Sequence, residues 1–138
     1  MTAKEYLNQA YRIDQRINSK LEQVASLRDL LTRTSSTLSD MPRNPNKGAS
    51  KTEDIIVKIV DIENEIKEDI DKLLTLKQGI MQTIKSVEPV EYQMLLELRY
   101  LCFKTWEEIA VELGYSIQHT YRIRDKAIAC VVVPKNDR

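Results

Sequence analysis

Glycine, proline and aromatic residues are scarce in this sequence. Three glycines, four prolines and 6% aromatics are spread over 138 residues. Sandwiches and barrels need turn residues about every 8–12 positions. Three glycines cannot supply them, so an all-β fold is excluded. Histidine occurs once, as His119, and cysteine twice, as Cys102 and Cys130. The two cysteines are too far apart for a metal-binding pair, and a cytosolic disulfide is not expected, so both read as buried free thiols. Gly48, Gly79 and Gly114 stand isolated, so no phosphate-cradling loop exists. One histidine gives no local sign of a nucleophile–base pair. Glu107 and Glu108 are adjacent; on a helix they point about 100° apart and cannot flank one substrate bond. No enzyme is expected, and neither a metal nor a cofactor.

Long apolar runs are missing too. The longest, Ala127 to Val133, has seven residues, against the roughly 20 that span a bilayer. The opening Met1-Thr2-Ala3-Lys4-Glu5 is no apolar signal region. A cytoplasmic protein without membrane contact is expected. Charge of one sign is also lacking, with 21 basic against 21 acidic residues. Bulk attraction to nucleic acid is excluded as a driver, so any such binding must come from a local patch.

What the chain has is helical periodicity. Leu7, Ala10, Ile13, Ile17, Leu21, Val24, Leu27 and Leu31 step by three and four, and 3–33 reads as one helix. Residues 34–51 are rich in Ser, Thr, Asn and Pro, with Pro42 and Pro45 opposing a helix. They are expected to form a flexible, solvated linker. Residues 52–87 read as a second helix, capped by Ser50 or Thr52. Ile55, Ile59, Ile62, Ile66, Ile70, Leu73, Ile80, Ile84 and Val87 form one stripe. Its mean step lies between the heptad and straight-helix values of about 3.5 and 3.6. So long a stripe must pack on the first helix, on a second copy, or on both. It exceeds what the first helix and a small module cover, so a homodimer is expected. Gly79 interrupts this helix and suits a close crossing or a bend. The acids of 52–72 are expected to form a solvated face pairing with Arg12, Arg16 and Lys20, with a docking face for a basic partner as the alternative.

From Glu88 the rhythm shortens. Pro89 suits a first turn, and Leu95, Leu98 and Leu101 follow on a helix ending near Tyr100. Thr105 with Glu108 forms a capping-box signature ahead of a helix from Trp106 to Leu113. Gly114 stops that helix, and Ser116 caps the next, Ile117 to about Cys130. Two short helices joined by Gly114-Tyr115-Ser116 read as a helix-turn-helix. Ile109, Ala110 and Leu113 are expected to meet Ile123 and Ala127. Trp106 is expected to cover the Cys102-Phe103 connector and the end of the preceding helix. The outward side chains of the last helix are Gln118, His119, Tyr121, Arg122, Arg124, Asp125 and Lys126. Gln118 and His119 suit base edges, while Arg122 and Lys126 suit bases or phosphates.

Leu98-Arg99-Tyr100, Thr105-Trp106-Glu107-Glu108-Ile109-Ala110, Leu113-Gly114-Tyr115-Ser116, and Ile123 with Lys126-Ala127-Ile128 carry a resemblance. Together they resemble region 4 of bacterial sigma factors. The pattern departs at Ile117, where a basic or polar residue is usual, and at Thr120, where a core aliphatic is usual. No other sigma region is matched. The whole chain resembles small phage- and prophage-encoded transcription regulators of Gram-positive bacteria, of the ArpU and RinA kind. That resemblance implies DNA-facing positions for Thr105, Gln118, His119, Tyr121, Arg122 and Lys126; Arg124 joins them from the outward set.

The expected protein is all-α. A long helical hairpin or coiled coil spans 1–87, including the linker 34–51, and a sigma region-4-like helix-turn-helix domain occupies 88–138. The expected function is DNA-binding transcriptional regulation in a phage or prophage, with helix 117–130 in the major groove of double-stranded DNA and host RNA polymerase as a further partner. The alternative is a phage-encoded protein-interaction module that binds a host protein through the hairpin.

Overall fold

The computed structural model describes residues 1–40 and 45–134. Five helices follow in order: α1 (Ala3–Asp40), α2 (Pro45–Lys85), α3 (Val90–Tyr100), α4 (Trp106–Leu113) and α5 (Ile117–Ala129). Among the described residues there is no strand. None of these helices is long and apolar enough to cross a membrane.

The helical boundaries correct the linker expected over 34–51. Residues 34–40 belong to α1 and 45–51 to α2; residues 41–44 lie outside the described residues. Pro45 does not oppose helix formation because it stands at the first helical position. There its missing N–H has no intrahelical partner to lose. The sequence also hides a second capping box. The Thr2 backbone N–H donates to the Glu5 carboxylate at 2.8 Å, and the Glu5 N–H donates to the Thr2 hydroxyl at 3.1 Å. These hydrogen bonds start α1 and hold the Glu5 carboxyl below its ordinary pKa.

Two compact units emerge, one of residues 14–72 and one of 1–13 with 73–138. This division differs from a cut between 87 and 88. In the unit of 1–13 and 73–138 the start of α1 and the end of α2 share a core with α3, α4 and α5. Leu7, Ala10, Ile80, Ile84, Val87, Leu95, Leu96, Ile109, Ile123 and Ala127 are buried together. Gly79 serves close approach here: a Cβ at this position would stand 3.2 Å from the Tyr6 hydroxyl oxygen. That hydroxyl lies 3.4 Å from the Thr83 hydroxyl, which donates to the Gly79 carbonyl at 3.0 Å. The Gln93 side chain donates to the carbonyls of Lys85 and Val87 at 3.0 and 2.7 Å. These bonds satisfy acceptors that the end of α2 leaves open.

In the unit 14–72, α1 and α2 run antiparallel. Ile17 and Val24 of α1 and Ile59 and Ile66 of α2 are buried. Lys20 bridges Asp69 at 2.5 Å and Glu65 at 3.3 Å, and Arg28 bridges Glu63 at 2.6 Å. The acids of α2 thus pair with α1, though Lys20 and Arg28 make the contacts, while Arg16 acts on Asp69 only through space. The apolar stripe of α2 needs a correction. Ile70 is 49% exposed, and Asp69 takes the inner place at 7%. From Ile66 the inner line steps three to Asp69 and four to Leu73, and the buried carboxylate is compensated by Lys20.

Candidate nucleic-acid interface

Local chemistry fixes where α4 and α5 begin and end. The Thr105 hydroxyl accepts the Glu108 N–H at 3.1 Å, and the Glu108 carboxylate accepts the Thr105 N–H at 2.8 Å. This capping box holds the Glu108 carboxyl below its ordinary value. Gly114 ends α4 at φ 75°, a left-handed conformation that disfavours a Cβ. The Gly114 N–H donates to Val111 and the Tyr115 N–H to Ala110, at 3.2 and 2.9 Å. Those are the two bonds of a Schellman ending. Ser116 then caps α5 by accepting the His119 N–H at 3.1 Å. The Tyr115 hydroxyl donates to the Glu91 carboxylate, which ties the connector to α3 and raises the phenol pKa.

Burial fixes how α5 is turned. Ile123 and Ala127 face the core with Ile109, and Leu113 packs against the same cluster. Thr120 is fully buried, and its hydroxyl donates to the Ser116 carbonyl at 2.9 Å. A threonine therefore fits a core position because the preceding turn takes its one donor. Gln118, Arg122, Asp125 and Lys126 are exposed on the opposite side. At 100° per residue, Gln118, Arg122 and Lys126 lie along one line. None of the three takes part in an ion pair among the described residues.

The other expected site residues are more tied down. His119 is half-buried, its ring edge-on to Tyr115 at 4.8 Å. Tyr121 is half-buried, with the Arg124 guanidinium 4.8 Å from its ring centre. Arg124 also pairs with Asp125 at 2.9 Å. Thr105 is exposed, but its oxygen already accepts the cap bond. The line Gln118–Arg122–Lys126 is thus brought together, while Tyr121 and Arg124 lie about 100° and 160° round the helix from its middle.

Round the helix from this line lies a cleft of about 330 Å³. Arg99, Trp106, Arg124 and Lys4 are among its lining residues. Arg99 stands 4.9 Å and Arg124 5.8 Å from the Trp106 ring centre. The Trp106 ring also meets Tyr100 edge-on at 6.5 Å, and burial raises the Tyr100 phenol pKa. Trp106 therefore covers the end of α3, as expected, but not Phe103. The Phe103 ring packs on Tyr11 at 5.6 Å and beneath the Lys77 ammonium at 4.7 Å. Arg99 is a site residue that the sequence alone does not single out. Arg99 lies at the end of α3 and Trp106 begins α4, so only the turn at 101–105 brings the pair together.

The cysteines correct another expectation. Cys102 and Cys130 are free but exposed, not buried. Cys102 lies in the turn after α3, and Cys130 caps the end of α5, so neither projects from an inner helical face. Among the described residues no group of three or more His, Cys, Asp or Glu could hold a metal ion.

One family model matches residues 34–131, and its description reads Protein of unknown function (DUF1492). The chain belongs to the DUF1492 family. The match takes in α2, α3, α4 and α5 whole, together with the end of α1. Every site residue from Thr105 to Lys126 lies inside it. No curated protein and no solved structure matches the chain.

Proposed function

We propose that this DUF1492 protein is a DNA-binding transcriptional regulator of phage or prophage origin. In this reading α4 and α5 form a helix-turn-helix, and α5 lies in the major groove of double-stranded DNA. The observation that carries it is the exposed line Gln118, Arg122 and Lys126 on a helix whose other side is locked into the core. An amide and two cations at that spacing suit base edges and phosphates. The resemblance of 98–128 to sigma region 4 supports the same assignment, and with it contact to host RNA polymerase. Two copies reading two half-sites would offset the modest affinity of a module with little net charge.

A second reading keeps a specific observation in its favour. Ile56, Val57, Val60 and Ile70 of α2 are exposed apolar residues, which suit a protein-interaction module that binds a host protein. Selection of bound duplexes from a random DNA library, with and without RNA polymerase, separates the two. Enrichment of one motif, lost in Arg122→Ala, supports the regulator. No enrichment in either condition leaves the interaction module.

A further inference from the structure

α2 has a second apolar face, distinct from its buried one. Ile56, Val60, Ile70 and Leu74 are 45%, 47%, 49% and 56% exposed. Glu63 and Lys67 stand between them, Glu63 half-buried and Lys67 exposed. The six positions step by four, three, four, three and four, so on one helix they form a strip about 80° wide. This strip has a symmetry that a solvated face does not need. Read from either end it runs apolar, apolar, charged, charged, apolar, apolar. Reversal exchanges only the sign of the two charges.

We propose that this strip is the interface with a second copy of the chain, laid antiparallel about a two-fold axis level with position 65. That arrangement sets Ile56 opposite Leu74 of the second copy and Val60 opposite its Ile70. It sets Glu63 opposite Lys67 of the second copy, twice per dimer. A parallel pairing in register would set Glu63 on Glu63 and Lys67 on Lys67, like charge on like charge. The spacing fits knobs-into-holes packing, which needs apolar positions every three and four residues. Glu63 already accepts Arg28 on Oε2, which leaves Oε1 for the ammonium. Equal numbers of acids and bases give two copies no net repulsion. The proposal deepens the pairing of copies in the reading above, but it rests on α2 and needs no DNA.

Light scattering and sedimentation equilibrium of the full chain, without DNA, test it. Wild type is expected at twice the 16.0 kDa chain mass. Glu63→Lys is expected to raise the dimer dissociation constant by at least about tenfold, since it creates two like-charge pairs. Glu63→Lys with Lys67→Glu in the same chain is expected to restore it, because the pairs are re-formed with sign reversed. Ile70→Asp is expected to give a monomer with unchanged helicity by circular dichroism, as the site is exposed. Arg122→Ala is expected to dimerise like wild type, which separates this proposal from the DNA reading. A monomeric wild type at high micromolar concentration overturns the proposal and leaves the strip to a different protein. A dimer indifferent to Glu63→Lys and Ile70→Asp, or a double reversal that fails to restore it, overturns the interface.

Discussion

The two compact units bury apolar side chains by different means. In the unit of 1–13 and 73–138, five helical segments enclose one core, and caps, a Schellman ending and the Gln93 side chain close the helix ends. In the unit 14–72, two helices bury a thin seam of Ile17, Val24, Ile59 and Ile66. Ion pairs flank the seam, and apolar residues remain outside. A two-helix layer has no third side to cover its remaining faces, whereas α3, α4 and α5 surround theirs. The first unit is thus suited to hold a rigid recognition surface, and the second to meet another molecule.

The largest expected effect breaks this contrast directly. Leu95→Ala removes a fully buried side chain from the five-helix core and should cost about 2–5 kcal/mol in chemical denaturation. Ile59→Ala, at the thinner seam, should cost about 2 kcal/mol, near the low end of that range, because the site can relax toward solvent. Equal losses would mean the seam is as closed as the core.

A smaller effect sharpens the role of the aromatic and cap in the first unit. Trp106 is only half-buried, so Trp106→Ala should cost about 2 kcal/mol, below the 3–5 usual for a core tryptophan. Unchanged stability with lost DNA binding would move Trp106 into the interface. Thr105→Ala removes the side-chain half of the capping box and should cost about 1 kcal/mol by thermal denaturation.

The smallest expected effect belongs to the second unit and to pH. The Lys20 hydrogen bond holds the Asp69 carboxyl below its ordinary value of 3.8. A lowered folded value means that the unfolded state binds the proton more tightly. The stability that Asp69 confers is therefore full above the unfolded value and is lost as pH falls below about 4 through the folded one. Lys20, raised by the same bond, contributes below the ordinary lysine range and loses its contribution as pH rises through its folded value. Asp69→Asn should flatten the acid limb of a stability–pH curve. An unchanged acid limb would show that the pair contributes nothing net.

Local signals were legible in the sequence, and three-dimensional ones were less so. Thr105 with Glu108, Gly114 and Ser116 announced α4 and α5 because caps depend on residues within one turn. The inner set Ile109, Ile123 and Ala127 followed from helical spacing. Asp69 did not, because a stripe can step three or four, and a carboxylate joins the inner line only when a cation such as Lys20 faces it from another helix. Ser and Pro content points to a linker over 34–40 and 45–51, because content weighs propensity but not proline's place at a helix start. The exposure of Cys102 and Cys130 depends on where helices end, and a thiol gives no sign of that. The Arg99–Trp106–Arg124 stack joins three elements and has no spacing to betray it. Of the candidate site, the outward side chains were legible, but not that His119, Tyr121 and Arg124 are engaged by neighbours while Gln118, Arg122 and Lys126 stand clear.

One titration decides whether α5 reads DNA. Fluorescence anisotropy of a selected duplex would be followed with wild type, Arg122→Ala and Arg28→Ala at two salt concentrations. Arg122 lies on the exposed line of α5, and Arg28, on α1, is held by Glu63 of α2. Arg122→Ala is expected to lose about 1–3 kcal/mol of binding if Arg122 reads a guanine edge. If it holds a phosphate, binding weakens on all sequences and the salt slope falls by about 1. Arg28→Ala should bind like wild type in either case. Three identical titrations, or no binding by wild type with RNA polymerase present, would mean that α5 does not read DNA.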